Sequence, residues 1–103
     1  MAGSEARRGS TLTKIAAAVS PWVPVEVFGD ETTIADVHMD SRAVTPGSLY
    51  VAIRGERNDG HRFISGAVAA GAVAVAVEEP PQQEIPYLLV ADTRQALGWM
   101  AAE

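Results

Sequence analysis

Between Ser48 and Val77 the chain runs through an apolar stretch (SLYVAI), a polar loop, a helical repeat and a second apolar stretch (AVAVAV). No other part of the sequence restricts the fold as much. Ser48–Ile53 has strand length and ends in a loop from Arg54 to Gly60. His61–Ala70 carries Phe63, Ile64, Ala67 and Val68 at helical spacing, with Gly71 as a natural stop. Ala72–Val77 places apolar residues on both faces, as a strand does when it is covered from both sides. Strand, helix and strand in this order predict a parallel pair with a right-handed crossover. The expected fold class is therefore α/β, a small sheet with a βαβ unit and flanking helices.

The flanks extend this core. Thr11 is placed to cap a short helix whose face is Leu12, Ile15, Ala16 and Val19, and Pro21 ends it. Pro24 keeps the next segment extended, and Trp22 is expected to pack that segment onto the domain. Gly29-Asp30 marks a turn, and Ile34–Met39 reads as a strand. In Val44-Thr45-Pro46-Gly47, proline presets one central dihedral and glycine tolerates the positive φ of the next. After a Pro80-Pro81 loop, Tyr87–Val90 reads as another strand. Asp92, with Gln95 three residues on, has the form of a capping box for a helix from Thr93 to at least Ala102. Residues 1–10 (MAGSEARRGS) read as a disordered leader, which leaves 11–103 as one domain.

Composition narrows the function. With no cysteine, disulfide frameworks, thiolate zinc sites and cysteine nucleophiles are excluded. A net charge of −5 argues against a general nucleic-acid surface. The apolar run from Ala67 to Val77 is well short of the ~20 residues a membrane span needs. No secretory signal is evident, and a cytoplasmic location is expected. Four of the eight basic residues, Arg42, Arg54, Arg57 and Arg62, fall within 42–62. They read either as a local anion site on an acidic protein or as a mixed-charge surface shared with Asp40, Glu56 and Asp59.

Two loops carry the polar chemistry. Asp40-Ser41-Arg42 either closes its own turn through side-chain bonds to backbone or offers Ser41 to a ligand, with Arg42 adding charge or bracing the loop. Gly55-Glu56-Arg57-Asn58-Asp59-Gly60 is flanked by glycines, which let a backbone approach a phosphate closely. It lacks the lysine and hydroxyl of a G-x-x-x-x-G-K-[ST] loop, so it is no ATP site. Asp59 is a plausible N-cap for the following helix. His61 and His38 have no partners at metal-ligand spacing, so no metal is expected.

Read together, Ser-Pro-Trp-Val-Pro (20–24), Asp-Ser-Arg (40–42), Pro-Gly (46–47), Asp-Gly-His-x-Phe-Ile (59–64), Gly-Ala-x-Ala-Val (71–75) and Asp-x-Arg-x-Ala-Leu (92–97) resemble the N-terminal, UDP-binding domain of the Mur ligases. The likeness covers roughly residues 12–103. It is strongest toward the branch that extends UDP-N-acetylmuramoyl-L-alanyl-D-glutamate. Ser48 and Tyr50 depart from the residues usual there. The resemblance implies that Met39 and Ser41 line the uridine site, that Arg42 belongs to the UDP-binding set as a charge or a brace, and that Glu56, Arg57 and Asn58 contact the UDP moiety. Glu56 is expected to face solvent or offer only its backbone. The resemblance also implies an ATP- and Mg2+-dependent amide-bond ligase for a complete protein with central and C-terminal domains. Such a ligase adds diaminopimelate or lysine to that UDP-N-acetylmuramoyl-dipeptide. This chain contains no Gly-Lys-Thr phosphate loop and is expected to bind rather than catalyse, with no catalytic residue, cofactor, nucleic acid or membrane of its own. The rivals are the D-alanyl-D-alanine-adding sibling and a noncatalytic α/β interaction module.

Overall fold

The computed structural model describes residues 10–54 and 59–102. Strand β1 (Ser10–Thr11) leads into α1 (Leu12–Val19), followed by β2 (Val25–Phe28), β3 (Thr33–Ile34), β4 (Asp36–His38) and β5 (Ser48–Val51). Helix α2 (Ile64–Ala69), β6 (Ala74–Val77), β7 (Tyr87–Val90) and α3 (Thr93–Ala102) complete the chain. Five strands form one sheet in the order β2-β7-β6-β5-β4. Strands β4 to β7 are mutually parallel, and β2 closes the far edge antiparallel to β7. Strands β1 and β3 form a separate two-stranded ladder.

Side-chain alternation builds two cores. Leu49, Val51, Ala74 and Ala76 point toward α1 and α3, where Leu12, Ile15 and Met100 meet them. Tyr50, Val75 and Val77 point the other way and meet Ile64 and Ala67 of α2. Strand β6 is buried along its whole length, so AVAVAV is apolar at every position because both faces are covered.

Local chemistry sets the element ends. The Thr11 hydroxyl accepts from Lys14 N–H at 3.2 Å and caps α1. Thr45 O accepts from Ser48 N–H at 3.1 Å across Pro46 and Gly47, whose φ of +89° is the dihedral glycine supplies. Ser48 is buried but satisfied, its hydroxyl 2.9 Å from that of Thr45. At the end of α2, Gly71 adopts φ +110°, and a Cβ there would lie 2.7 Å from Pro46 Cα.

Several boundaries differ from expectation. The strand expected over 34–39 breaks at Ala35 and stops before Met39, since Ile34 pairs with β1 and Asp36 with β5. Strand β5 ends at Val51, and β6 begins at Ala74. The helix expected from His61 opens as a 3-10 turn, Gly60–Phe63, which leaves Phe63 exposed rather than in the apolar face. Strand β2 was not anticipated. Trp22 lies mostly in solvent and packs through one ring face: it stacks on Trp99 of α3, with centroids 4.5 Å apart and planes 10° from parallel.

Candidate functional site

Because β4 to β7 are parallel, their carboxyl ends lie along one side of the sheet, where open α/β sheets place their ligands. Strand β4 delivers Met39 and the Asp40-Ser41-Arg42 turn there. Strand β5 delivers Arg54 and, across residues 55–58, Asp59. Strand β6 delivers Glu78 and Glu79. The predicted contacts Glu56, Arg57 and Asn58 lie outside the described residues.

The first turn is held by its own charges. Asp40 Oδ1 accepts the backbone N–H of Arg42 at 2.9 Å, and the Arg42 guanidinium grips the same carboxylate through Nε at 3.2 Å and Nη2 at 3.1 Å. Arg42 therefore braces the loop, and these bonds hold the Asp40 carboxyl below its usual range. The Ser41 hydroxyl has no protein partner among the described residues, and Met39 beside it is more than half exposed. The apolar side chain of Met39 and the hydroxyl of Ser41 are thus both carried by the segment that leaves the end of β4. His38 Nε2 lies 3.2 Å from Asp36 Oδ2, but the atoms are not aligned as a hydrogen bond, and the nitrogen is buried.

The second loop is closed at its base by an antiparallel bridge between Arg54 and Asp59. The Asp59 carboxylate accepts the backbone N–H of His61 at 3.0 Å, which caps the 3-10 turn. Its Oδ1 also lies 2.6 Å from His61 Nδ1, while Oδ2 meets Arg54 Nε at 3.3 Å. Glu78 N–H donates to His61 Nε2 at 2.9 Å. That nitrogen is therefore the ring's acceptor and Nδ1 carries its proton toward Asp59. Arg54 also pairs with Glu79 and approaches Glu78, and these carboxylates raise its pKa.

Of the four clustered arginines, Arg42 and Arg54 are thus paired to carboxylates, which favours the mixed-charge reading for those two. Arg62 is exposed and lines a hollow of about 330 Å³ with His61, Ser65, Glu79, Gln82 and Gln83. Met39, Ser41 and Arg42 do not line that hollow. Among the described residues no group of three or more His, Asp or Glu side chains is arranged to hold a metal ion, and no helix is long and apolar enough to cross a membrane.

Tyr50 anchors the second loop. Its ring is buried, and its hydroxyl donates to Gly60 O at 2.8 Å. Burial, then the charges of Asp40 and Asp59, raise its pKa. Sequence reasoning placed Tyr50 in a strand but gave it no role, and it missed the contacts of Glu78. The only signal was a polar phenol in an apolar run and an acidic pair just after one.

The depressed carboxyls give the domain an acid limit. The His61 backbone N–H, then the His61 ring and Arg54, lower Asp59, against an opposing effect of burial. A folded-state pKa below the unfolded value contributes stability that is full above the ordinary Asp range and disappears as pH falls through the folded value. The melting temperature should therefore drop below about pH 4 on account of Asp40 and Asp59. A pH series comparing the wild type with an Asp40→Asn, Asp59→Asn double variant tests this. The variant should begin less stable and show the shallower acid decline; parallel curves would assign the decline to other groups.

A family model described as "Mur ligase family, catalytic domain" matches residues 33–103. The UDP-N-acetylmuramoyl-L-alanyl-D-glutamate–2,6-diaminopimelate ligase of Chlorobaculum tepidum is 53% identical over 73 residues, covering 68% of this chain and 14% of that protein. The UDP-N-acetylmuramoyl-tripeptide–D-alanyl-D-alanine ligase of Escherichia coli is 46% identical over 77 residues, covering 75% of this chain and 17% of that protein. The crystal structure of MurF from Acinetobacter baumannii superposes with a TM-score of 0.73 at 34% identity, covering 89% of this chain and 20% of that one. This chain therefore spans only about a sixth of the length of the curated relatives it matches.

Proposed function

This chain belongs to the Mur ligase family, and we propose that it is the region of such a ligase that holds the uridine-nucleotide end of a UDP-N-acetylmuramoyl peptide. The observation that carries this reading is the placement of the Ser41 turn and the Arg54–Asp59 bridge at the ends of two adjacent parallel strands, with Tyr50 anchoring the second loop through Gly60. In this reading Met39 contacts the base or sugar face and the Ser41 hydroxyl bonds the uridine. Arg42 keeps the turn in shape. Glu56, Arg57 and Asn58 face the diphosphate, with Glu56 contributing backbone alone.

The complete protein would be a cytoplasmic, ATP-dependent amide-bond-forming ligase of peptidoglycan-precursor synthesis. Its substrate would be UDP-N-acetylmuramoyl-L-alanyl-D-glutamate, extended by diaminopimelate or lysine. ATP and Mg2+ would be held by central and C-terminal domains, since this chain carries neither the phosphate loop nor a metal cluster among its described residues. A second reading, the D-alanyl-D-alanine-adding ligase, is supported by the similarity to the Escherichia coli relative.

Titration calorimetry of the 103-residue chain with UDP and with uridine tests the shared part of both readings. Saturable UDP binding tighter than uridine is expected, and a chain that binds neither is a noncatalytic module. Ser41→Ala should weaken UDP by about 0.5–1.5 kcal/mol, the net contribution of one hydrogen bond, with the melting temperature nearly unchanged. Equal loss of stability and affinity would make Ser41 a turn-closing residue instead.

A further inference from the structure

Glu78 follows the last residue of β6, and the nucleotide reading gives it no part. Yet it touches three separate segments. Its backbone N–H donates to His61 Nε2 at 2.9 Å. Its Oε2 accepts both the backbone N–H and the hydroxyl of Thr93, at 2.9 and 3.0 Å. Its Oε1 lies 3.7 Å from Arg54 Nη1. The side chain is only 20% exposed, and Thr93 is fully buried.

These contacts have direction. Thr93 is the first residue of α3, where the N–H groups have no partner within the helix. Asp92 satisfies the N–H of Gln95 from within the chain's own turn. The N–H of Thr93 is instead satisfied from β6, by a carboxylate that also faces Arg54. Arg54 and Asp59 form the bridge at the base of the second loop, and His61 is fixed between Asp59 and Glu78. Displacing that bridge therefore changes what Glu78 meets on one side, while the start of α3 hangs on the other.

We propose that Glu78 is a positioning residue that couples the nucleotide-binding side of the site to the N-terminus of α3. The inference rests on the uridine-nucleotide reading. A ligand seated over the Ser41 turn and the Arg54–Asp59 bridge restrains Arg54 and His61. Glu78 passes that restraint to the first turn of α3. Glutamine at this position keeps the size and one carbonyl acceptor. It removes the charge that faces Arg54 and brings an amide donor to where only acceptors now stand.

The test uses the 103-residue chain, with UDP as the probe. It combines calorimetry with amide hydrogen exchange of α3's first turn, well below the melting temperature. In the wild type, UDP should slow exchange at Thr93, Gln95 and Ala96. In Glu78→Gln, UDP affinity should fall by about three- to tenfold, as for loss of one ordinary net hydrogen bond, and the slowing should be lost even at saturating UDP. A merely structural role would lower the melting temperature but leave the UDP-dependent slowing intact, and that result overturns the proposal. Thr93→Val removes one donor to Glu78 at nearly constant volume. It should diminish the slowing with a smaller loss of affinity; an undiminished response also overturns the proposal. If the wild type does not bind UDP, the nucleotide reading falls and the coupling with it. Wild-type binding with an unaltered Glu78→Gln response sinks the coupling alone.

Discussion

Gly60→Ala should destabilise the domain by about 2–3 kcal/mol, as overpacking against an unyielding wall does. It should lower the melting temperature by roughly 10–20 °C for a domain of this size. The reason is space rather than dihedral freedom. A Cβ on Gly60 would lie 2.7 Å from Ile53 N, 2.9 Å from Ile53 O and 3.0 Å from Ala52 Cα, all of them backbone atoms. The Gly60 N–H also donates to Ile53 O at 2.7 Å, so the turn cannot lift away without breaking that bond. Its carbonyl accepts from Tyr50, and its neighbours Asp59 and His61 hold the second loop. UDP affinity should therefore fall as well, by about tenfold or more, equivalent to at least ~1.4 kcal/mol. Gly66 is the control. It is exposed within α2, and nothing lies within 4 Å of where its Cβ would be. Gly66→Ala should stabilise the domain by up to about 1 kcal/mol through helix propensity. Thermal melts of the two variants decide the matter, and a Gly60→Ala melt indistinguishable from wild type would mean that the backbone yields there.

Leu49→Ala should cost about 2–5 kcal/mol, a large share of the roughly 5–15 kcal/mol that holds a domain together. Leu49 is fully buried on β5, between Val37 and Ala74 in the sheet, beneath α1 and α3. Ala74 and Ala76 on the neighbouring strand have no length to spare, so little beside Leu49 can swing in to fill the void. That places the expected loss in the upper half of the range. Tyr50→Phe, one residue along and on the opposite face, removes only the bond to Gly60 O and should cost about 1 kcal/mol. Urea unfolding of the pair measures both. A Leu49→Ala loss below about 1 kcal/mol would show that α1 and α3 settle onto the sheet.

The elements that sequence reasoning located are those whose burial is complete. AVAVAV was legible because a strand covered on both faces shows no polar residue. The helix face of Leu12, Ile15, Ala16 and Val19 was legible because all four are buried in one core. Val25–Phe28 was not. It is one of the two edge strands of the sheet, mostly exposed, with too short a run between Pro24 and Gly29 to show a period. The break at Ala35 was hidden for another reason. Two ladders share that stretch, and only tertiary structure decides where one ends.

At the site, turn chemistry could be read locally: Asp40 and Asp59 each bond the backbone N–H two residues on, as such residues do in any loop. The partners of Arg54 could not be read that way. Glu78 and Glu79 stand 24 and 25 residues away in sequence, brought in by the β5–β6 pairing. The cluster of arginines therefore read equally as an anion site or as a mixed-charge surface until the sheet placed Glu78 and Glu79 beside Arg54.

The stacking of Trp22 on Trp99 has a consequence for how unfolding of this chain is observed. These are the only two tryptophans, so all of its tryptophan emission arises at one corner, where the segment after α1 meets α3. A fluorescence melt consequently reports the release of α3 from that segment and is blind to the sheet, whereas circular dichroism reports the backbone as a whole. Where the two transitions coincide, the domain unfolds as a unit. Where fluorescence moves first, the last helix detaches before the sheet, and the two dyes built into the sequence measure that step alone.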